Sequence, residues 1–313
     1  MKQLRFLRRI SATLLFLALM MGRAEAATCS AVVSAINFGS VSVRAGATNS
    51  TSGNVAITCS GVLVATIGVC VDFGPGGGGA GAGNSPRYMR RADNAALNYE
   101  LRSGGNGSAF GTLTSLFVLL PVALGNGSAN VPIYADITSN SVAVGTGSYT
   151  SVFSGASNVT MRFGLASCAL VGTTAVAPNF TVSANVVSSC ELNVGALDFG
   201  NISASLTTPV AGQATIDVRC TAATPYRVDL GLGNGTGASG PTDRRMMNGP
   251  GMLIYGLYQD AAHSQPWGNT VGNSRGGTGA GGSQILTIYG QIAAGQKTHV
   301  GTYSDSVVVT LTY

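Results

Sequence analysis

The side chains best able to do covalent chemistry in this 313-residue chain are six cysteines, and four of them repeat one spacing. Cys29 and Cys59 are thirty residues apart, and so are Cys190 and Cys220. Six cysteines allow 15 pairings. The matched places of the first four predict bonds Cys29–Cys59 and Cys190–Cys220, which leaves Cys70 and Cys168 for each other. No His/Cys spacing suits zinc, so no metal and no cofactor are expected. Hydrolytic chemistry has little to work with, because the two histidines, His263 and His299, are 36 residues apart and lack a partnered nucleophile. The acids stand singly in strand or loop patterns rather than as a glycosidase pair. Gly74-Pro75-Gly76-Gly77-Gly78-Gly79 has the look of a phosphate-binding glycine pattern, which needs a helix N-terminus behind it. Here the run leads into Gly81, Gly83, Asn84, Ser85 and Pro86, and is expected to be a flexible loop between strands. These residues predict a protein that is not an enzyme.

The first 26 residues read as a signal peptide. Lys2, Arg5, Arg8 and Arg9 form a positive start, Ile10 to Met21 an apolar stretch, and Ala24-Glu25-Ala26 the small-residue cleavage pattern. That stretch is too short for the roughly 20 residues of a bilayer span. A cut after Ala26 leaves 287 residues, enough for two domains. The leader holds five of the 17 Lys and Arg and one of the 12 acids, so the mature chain carries 12 against 11, a net +1. The basic balance is largely the leader's, and no nucleic-acid footprint remains. Arg87, Arg90, Arg91, Arg244 and Arg245 are expected to flank strands on a solvated edge. Cysteines in an exported chain imply an oxidising compartment.

The elements that position these residues come twice. Asn37-Phe38-Gly39 answers Asp198-Phe199-Gly200, each following the first cysteine of its pair at the same distance. Val71-Asp72-Phe73-Gly74 matches Val228-Asp229-Leu230-Gly231, and Gly147-Ser148-Tyr149 matches Gly301-Thr302-Tyr303. A repeat of this length is a duplicated domain rather than a solenoid unit. Short β-branched runs such as Val55–Thr58, Val131–Ile137, Ile216–Arg219 and Ile285–Ile292 alternate with Gly/Asn/Ser clusters. This predicts an all-β sandwich or barrel with very little helix. The expected division is a first domain over 27–168, a linker over 169–179 and a second domain over 180–313. The second opens on the alternating strand Phe180–Val186. After the expected cut only Ala27 and Thr28 precede Cys29, against the ten-residue segment Phe180–Ser189 ahead of Cys190.

The copies differ most at Leu116-Phe117-Val118-Leu119-Leu120-Pro121, the most apolar run beyond the leader, opposite the polar Asn273–Thr278. Two readings stand. The run is an extra buried strand, or it is an exposed apolar contact surface, with Pro121 favouring a loop or edge. Residues 116–120 are the candidate surface-binding site on the second reading, and the Gly76–Asn84 loop is the fallback on the first.

The second copy resembles the spore coat protein U domain family, which includes subunits of archaic chaperone–usher pili. The likeness lies in the alternating strand into Cys190, Leu197-Asp198-Phe199-Gly200, Cys220, Tyr226, Met252-Leu253-Ile254-Tyr255, Trp267-Gly268, Leu286–Gly290, and Gly301–Asp305 leading into Val307–Tyr313. The resemblance implies two immunoglobulin-like β-sandwich domains in tandem, the second lacking its last strand. A periplasmic chaperone and then the donor strand of the next pilin subunit would supply it, with an outer-membrane usher as assembly platform. Two-domain members resemble tip adhesins, which implies a secreted pilus-tip subunit for attachment to an abiotic or host surface and for biofilm formation. The alternatives are a coat protein without a pilus, or a secreted carbohydrate-binding or hydrolytic module.

Overall fold

A computed structural model describes residues 27–138, 143–164, 173–175 and 179–313. The expected signal peptide and Cys168 lie outside the described residues, as does most of the expected linker. The described residues are all-β apart from one 3-10 turn, Ala82–Asn84.

The first domain begins with β1 (Thr28–Val33), β2 (Ile36–Val41), β3 (Ser50–Ser60) and β4 (Thr66–Phe73). It continues with β5 (Arg87–Arg90), β6 (Ala96–Arg102), β7 (Leu116–Pro121), β8 (Gly127–Ile137), β9 (Gly147–Phe153), β10 (Val159–Gly164), β11 (Thr173–Ala175) and β12 (Phe180–Val186). Eight of these form one sheet in the order β1-β3-β8-β6-β5-β9-β12-β2, facing the sheet β11-β10-β4-β7. Alternation makes them strands. In β3, Gly53, Val55, Ile57 and Cys59 point inward while the residues between them face outward.

The second domain repeats the plan with β13 (Cys190–Val194), β14 (Val210–Cys220), β15 (Pro225–Leu230), β16 (Arg244–Asn248), β17 (Gly251–Tyr258), β18 (Arg275–Thr278), β19 (Ser283–Ile292) and β20 (Val309–Thr312). Its sheets run β13-β14-β19-β17-β16 and β18-β15-β20. Each domain has its own core cluster.

The paired cysteines are cross-strand neighbours in both copies. Cys29 faces Cys59 on β1 and β3, with a disulfide at Cα–Cα 4.1 Å; Cys190 faces Cys220 on β13 and β14, at 4.0 Å. Cys70 is buried and disulfide-bonded.

Two expectations change. Phe180–Val186 does not open the second domain. It is β12 of the first sheet, and Phe180, Val182, Ala184 and Val186 all belong to the first core. Nor do Arg87 and Arg244 flank a solvated edge, for both are fully buried. Arg87 donates from Nε to Gly74 O (2.8 Å) and from its terminal nitrogens to Phe110 O and Phe73 O. Arg244 does the same at the matching place, to Gly231 O, Leu230 O and Trp267 O. Arg87 thus ties two loop carbonyls to a strand end, and Arg244, which also donates to Pro241 O, ties three, the satisfaction a buried charge requires. Burial lowers both pKa values, that of Arg244 to about 10.

Only Val187–Ser189 separates β12 from β13, and the domains touch around this tether. Val187 N donates to Val41 O, Ala45 N donates to Gly281 O, and Arg44 pairs with Glu191 at 2.6 Å while its Nε donates to Ser189 Oγ.

Candidate functional site

The aligned repeat locates the main difference between the domains. In the first, β12 lies between two strands. It pairs antiparallel with β9, from Phe180 opposite Phe153 to Val186 opposite Gly147. It also pairs parallel with β2, from Val182 beside Ile36 to Val186 beside Val41. Phe180 stacks on Phe153 (centroids 4.4 Å, planes at 13°) and meets Phe73 edge-on. Tyr149, Ser151, Phe153, Val159 and Met161 are completely covered as a result.

In the second domain the flanking segments are present and the strand between them is not. Leu197 and Ile202 stand where Ile36 and Val41 stand; Tyr303, Asp305 and Val307 stand where Tyr149, Ser151 and Phe153 stand. Among the described residues no strand pairs with 301–307 on the side that faces Leu197. A cleft of about 310 Å³ remains, walled by Leu197, Phe199, Tyr303 and Val307 and floored by Leu230 and Leu257. It continues as a second hollow of about 520 Å³ toward Thr298–Thr302. Tyr303, Asp305, Val307, Val309 and Leu311 are only half-buried, although all five point to the core side of their strand. Asp305 is fixed at the cleft by Asn234 N (2.7 Å) and by the Tyr255 hydroxyl (2.7 Å), and burial beside this carboxylate pushes the Tyr255 pKa up. The cleft is an apolar trough the width of one strand, open along a backbone edge, which is the geometry that receives an extended segment by β-augmentation.

The run at 116–120 is placed differently from the contact-surface reading. It forms β7, an edge strand paired with β4 from Val71 opposite Leu116 to Thr66 opposite Pro121. Its pleat sends Leu116 and Leu120 into the core and leaves Val118 half-buried, so these three do not form an exposed surface. Only Phe117 (44% exposed) and Leu119 (54%) face outward. The fallback loop is not free either. A Cβ on Gly78 would fall 1.8 Å from Tyr88 O, and Gly77 N and Gly78 N bond to Val152 O and Ser151 Oγ. Glycine is required there by close backbone approach.

A more exposed apolar group gathers at the end of the first domain away from the tether. β3 starts at Ser50, just past the Arg44–Ala45 segment that touches the second domain, and runs eleven residues, about 35 Å, to Ser60. The loop after it carries Leu63 (88% exposed) and Val64 (43%). The turn between β7 and β8 carries Leu124, fully exposed, and two backbone bonds join the loops: Val62 N to Gly125 O and Val122 N to Ala65 O. Ala123 and Asn126 exchange both hydrogen bonds around Leu124 (φ 50°) and Gly125 (φ 80°), a type I′ hairpin turn. Leucine is a poor residue for that left-handed place, which Asn, Asp or Gly fill without strain. Leu63 and Val64 belong to the apolar run Val62–Ile67, which reads as a strand, but the strand begins only at Thr66 and leaves them in the loop before it. Leu124 stands without such a signal.

Chemistry elsewhere is weak. Against the expectation that the chain holds no Gly-x-Ser-x-Gly elbow, Gly272-Asn273-Ser274-Arg275-Gly276 has that spacing. Ser274 Oγ, however, donates to Thr270 O in a turn that leads into β18 rather than a helix, while His263 Nδ1 meets Gln291. Among the described residues no group of three or more His, Cys, Asp or Glu could hold a metal ion.

The chain is similar to known proteins in sequence and in fold. Protein U of Myxococcus xanthus is 33% identical over 150 residues, covering 43% of this chain and 83% of that protein. The crystal structure of the chaperone–tip adhesion subunit pre-assembly complex from archaic chaperone–usher Csu pili of Acinetobacter baumannii matches 91% of this chain and 100% of the compared chain. The TM-score is 0.53 at 18% identity, a likeness of fold. A tip adhesin of Pseudomonas aeruginosa matches 91% of this chain and 93% of its own, at 12% identity and a TM-score of 0.33. The profile of the Spore Coat Protein U domain matches residues 15–155 and again 176–310, and the chain therefore belongs to that family of coat-protein domains rather than to a family of enzymes.

Proposed function

We propose that this protein is a two-domain, surface-exposed pilus-tip subunit whose second domain is held in a fibre by a donated strand and whose first domain touches the surface. The observation that carries this reading is the trough between Leu197–Ile202 and Gly301–Val307, the counterpart of a space that the chain itself fills with β12. A self-completed first domain needs no further strand, which suits the outermost position. A periplasmic chaperone would occupy the trough before assembly at an outer-membrane usher, as the fold likeness to a chaperone-bound tip subunit supports. The expected leader and the disulfides agree with export through the periplasm.

The contact surface is assigned to Leu63, Val64 and Leu124 in place of the full 116–120 run. Leu63 and Leu124, the latter at a strained turn position, bury almost none of their surface in the fold, and Val64 beside them is partly exposed. They fit attachment to apolar abiotic or host surfaces and the early steps of a biofilm. Burying each against such a surface is worth about 1.5–3 kcal/mol.

The test is to append a copy of Phe180–Val186 after Tyr313 through a short flexible linker. The register seen in the first domain leads the added strand back from opposite Val307 to opposite Gly301. The full chain should then gain a higher second melting transition and aggregate less than the unextended chain. An unchanged melting profile would show that the trough does not accept a strand.

A further inference from the structure

The first domain also shows what lies at the mouth of a filled trough. As β12 leaves the first domain, the chain crosses Val187–Ser189 and enters the disulfide-bonded β13, where Glu191 turns back to Arg44. Arg44 is held at the base of the first domain with 20% of its side chain exposed, and it contacts both the tether, at Ser189, and the incoming domain, at Glu191. It reads a carboxylate placed five residues beyond the last residue of the inserted strand.

Counting on from the aligned Phe38 and Phe199, the residue at the base of the second domain that corresponds to Arg44 is Ser205, too short to reach a partner. Ser205 does not stand alone. It pairs antiparallel with Lys297, fixed on either side by Leu206 N to Gln296 O (3.0 Å) and Thr298 N to Ala204 O (2.9 Å). Paired residues of neighbouring strands send their side chains to the same side, so the lysine lies beside the place where the first domain has its guanidinium. Ala204 and Thr298 line the hollow that continues the trough, and Lys297 is exposed. It is the chain's one lysine after the leader.

We infer that Lys297 is the docking cation of the second domain. It would bind a carboxylate that the next subunit carries just past its donated strand, as Arg44 binds Glu191 within this chain. The inference rests on the reading of the trough as a strand acceptor and adds the partner's chemistry: an alternating apolar strand, a short tether, then an acid. The exchange of arginine for lysine turns a forked contact into a point charge, suited to a joint made in trans and less demanding of geometry.

The probe is a fluorescent peptide of residues 180–191 with Ser at 190, compared with the same peptide carrying Glu191→Gln, on the full-length mature protein. The acidic peptide should bind about 5-fold tighter at low salt, and the gap should close near 0.5 M salt. Lys297→Glu should erase the gap, and a Glu191→Arg peptide should regain affinity for that variant. Equal binding of both peptides, or a gap that survives Lys297→Glu, overturns the role of Lys297 while leaving the trough intact. If neither peptide binds, the strand-acceptor reading fails and this inference fails with it.

Discussion

The two domains share a thirty-residue cysteine frame, a strand order and a fully buried arginine, yet one strand separates a closed core from an open one. In the first, Val182 and its neighbours on β12 cover Tyr149 and Phe153; in the second, Tyr303 and Val307 await cover. The difference teaches that the sequence unit and the folding unit are out of phase. The family profile resumes at residue 176, ahead of β12, but β12 packs into the core of the preceding domain. What looks like the opening strand of one repeat is the closing strand of the other.

The strongest way to break this comparison is a pair of identical charges. Val182→Asp should cost more than about 4 kcal/mol, because it buries an unpaired carboxylate in a filled core. Calorimetry should show the first domain's transition lost. Val307→Asp, at the half-buried wall of the trough, should cost under about 1 kcal/mol in the free chain and abolish rescue by an appended strand. Equal losses would mean that the trough is already closed.

Removing each disulfide sharpens the comparison. Both bridge thirty residues, so chain entropy predicts about 3–4 kcal/mol for Cys29→Ser/Cys59→Ser and for Cys190→Ser/Cys220→Ser alike. Denaturant titration should find the two within about 1 kcal/mol of each other. A far larger loss in the second domain would show that its frame compensates for the missing strand.

The buried arginines should follow. Arg87→Met and Arg244→Met each free several buried carbonyls and should destabilise by about 2–3 kcal/mol, read from the matching transition. A near-neutral effect at one site would mean that its carbonyls find water. The smallest effect has the opposite sign. Leu124→Asn relieves a left-handed leucine and should stabilise the first domain by about 1 kcal/mol while weakening adhesion to an apolar surface. Undiminished adhesion would move the contact surface elsewhere.

Much of the architecture was legible in the sequence, and the reasons are local. The cysteine repeat is one-dimensional and needs no packing to be seen, and alternation in segments such as Ile285–Ile292 marks strands. Alternation cannot say which core a strand joins, however. Phe180, Val182, Ala184 and Val186 would suit either domain, and a three-residue tether leaves no compositional boundary. In the run 116–120 both faces of the strand are apolar, which hid its period and made an edge strand resemble a loop. The buried arginines did carry a signal, since Arg87 and Arg244 match across the repeat, but arginine is so often a surface residue that solvent was the natural reading. Leu63 and Val64 carried a misleading signal, since the apolar run Val62–Ile67 reads as a strand; their patch with Leu124 exists because two backbone bonds bring separate loops together.

The three-residue tether has a mechanical consequence. A pull between the far end of the first domain and whatever holds the second must enter the first domain through Val187, at the end of β12. That strand is bonded lengthwise on both sides, to β9 and to β2, so tension slides it along two ladders at once instead of unzipping one bond after another. The element that completes the core is thereby also the part that resists drag, loaded in its strongest direction.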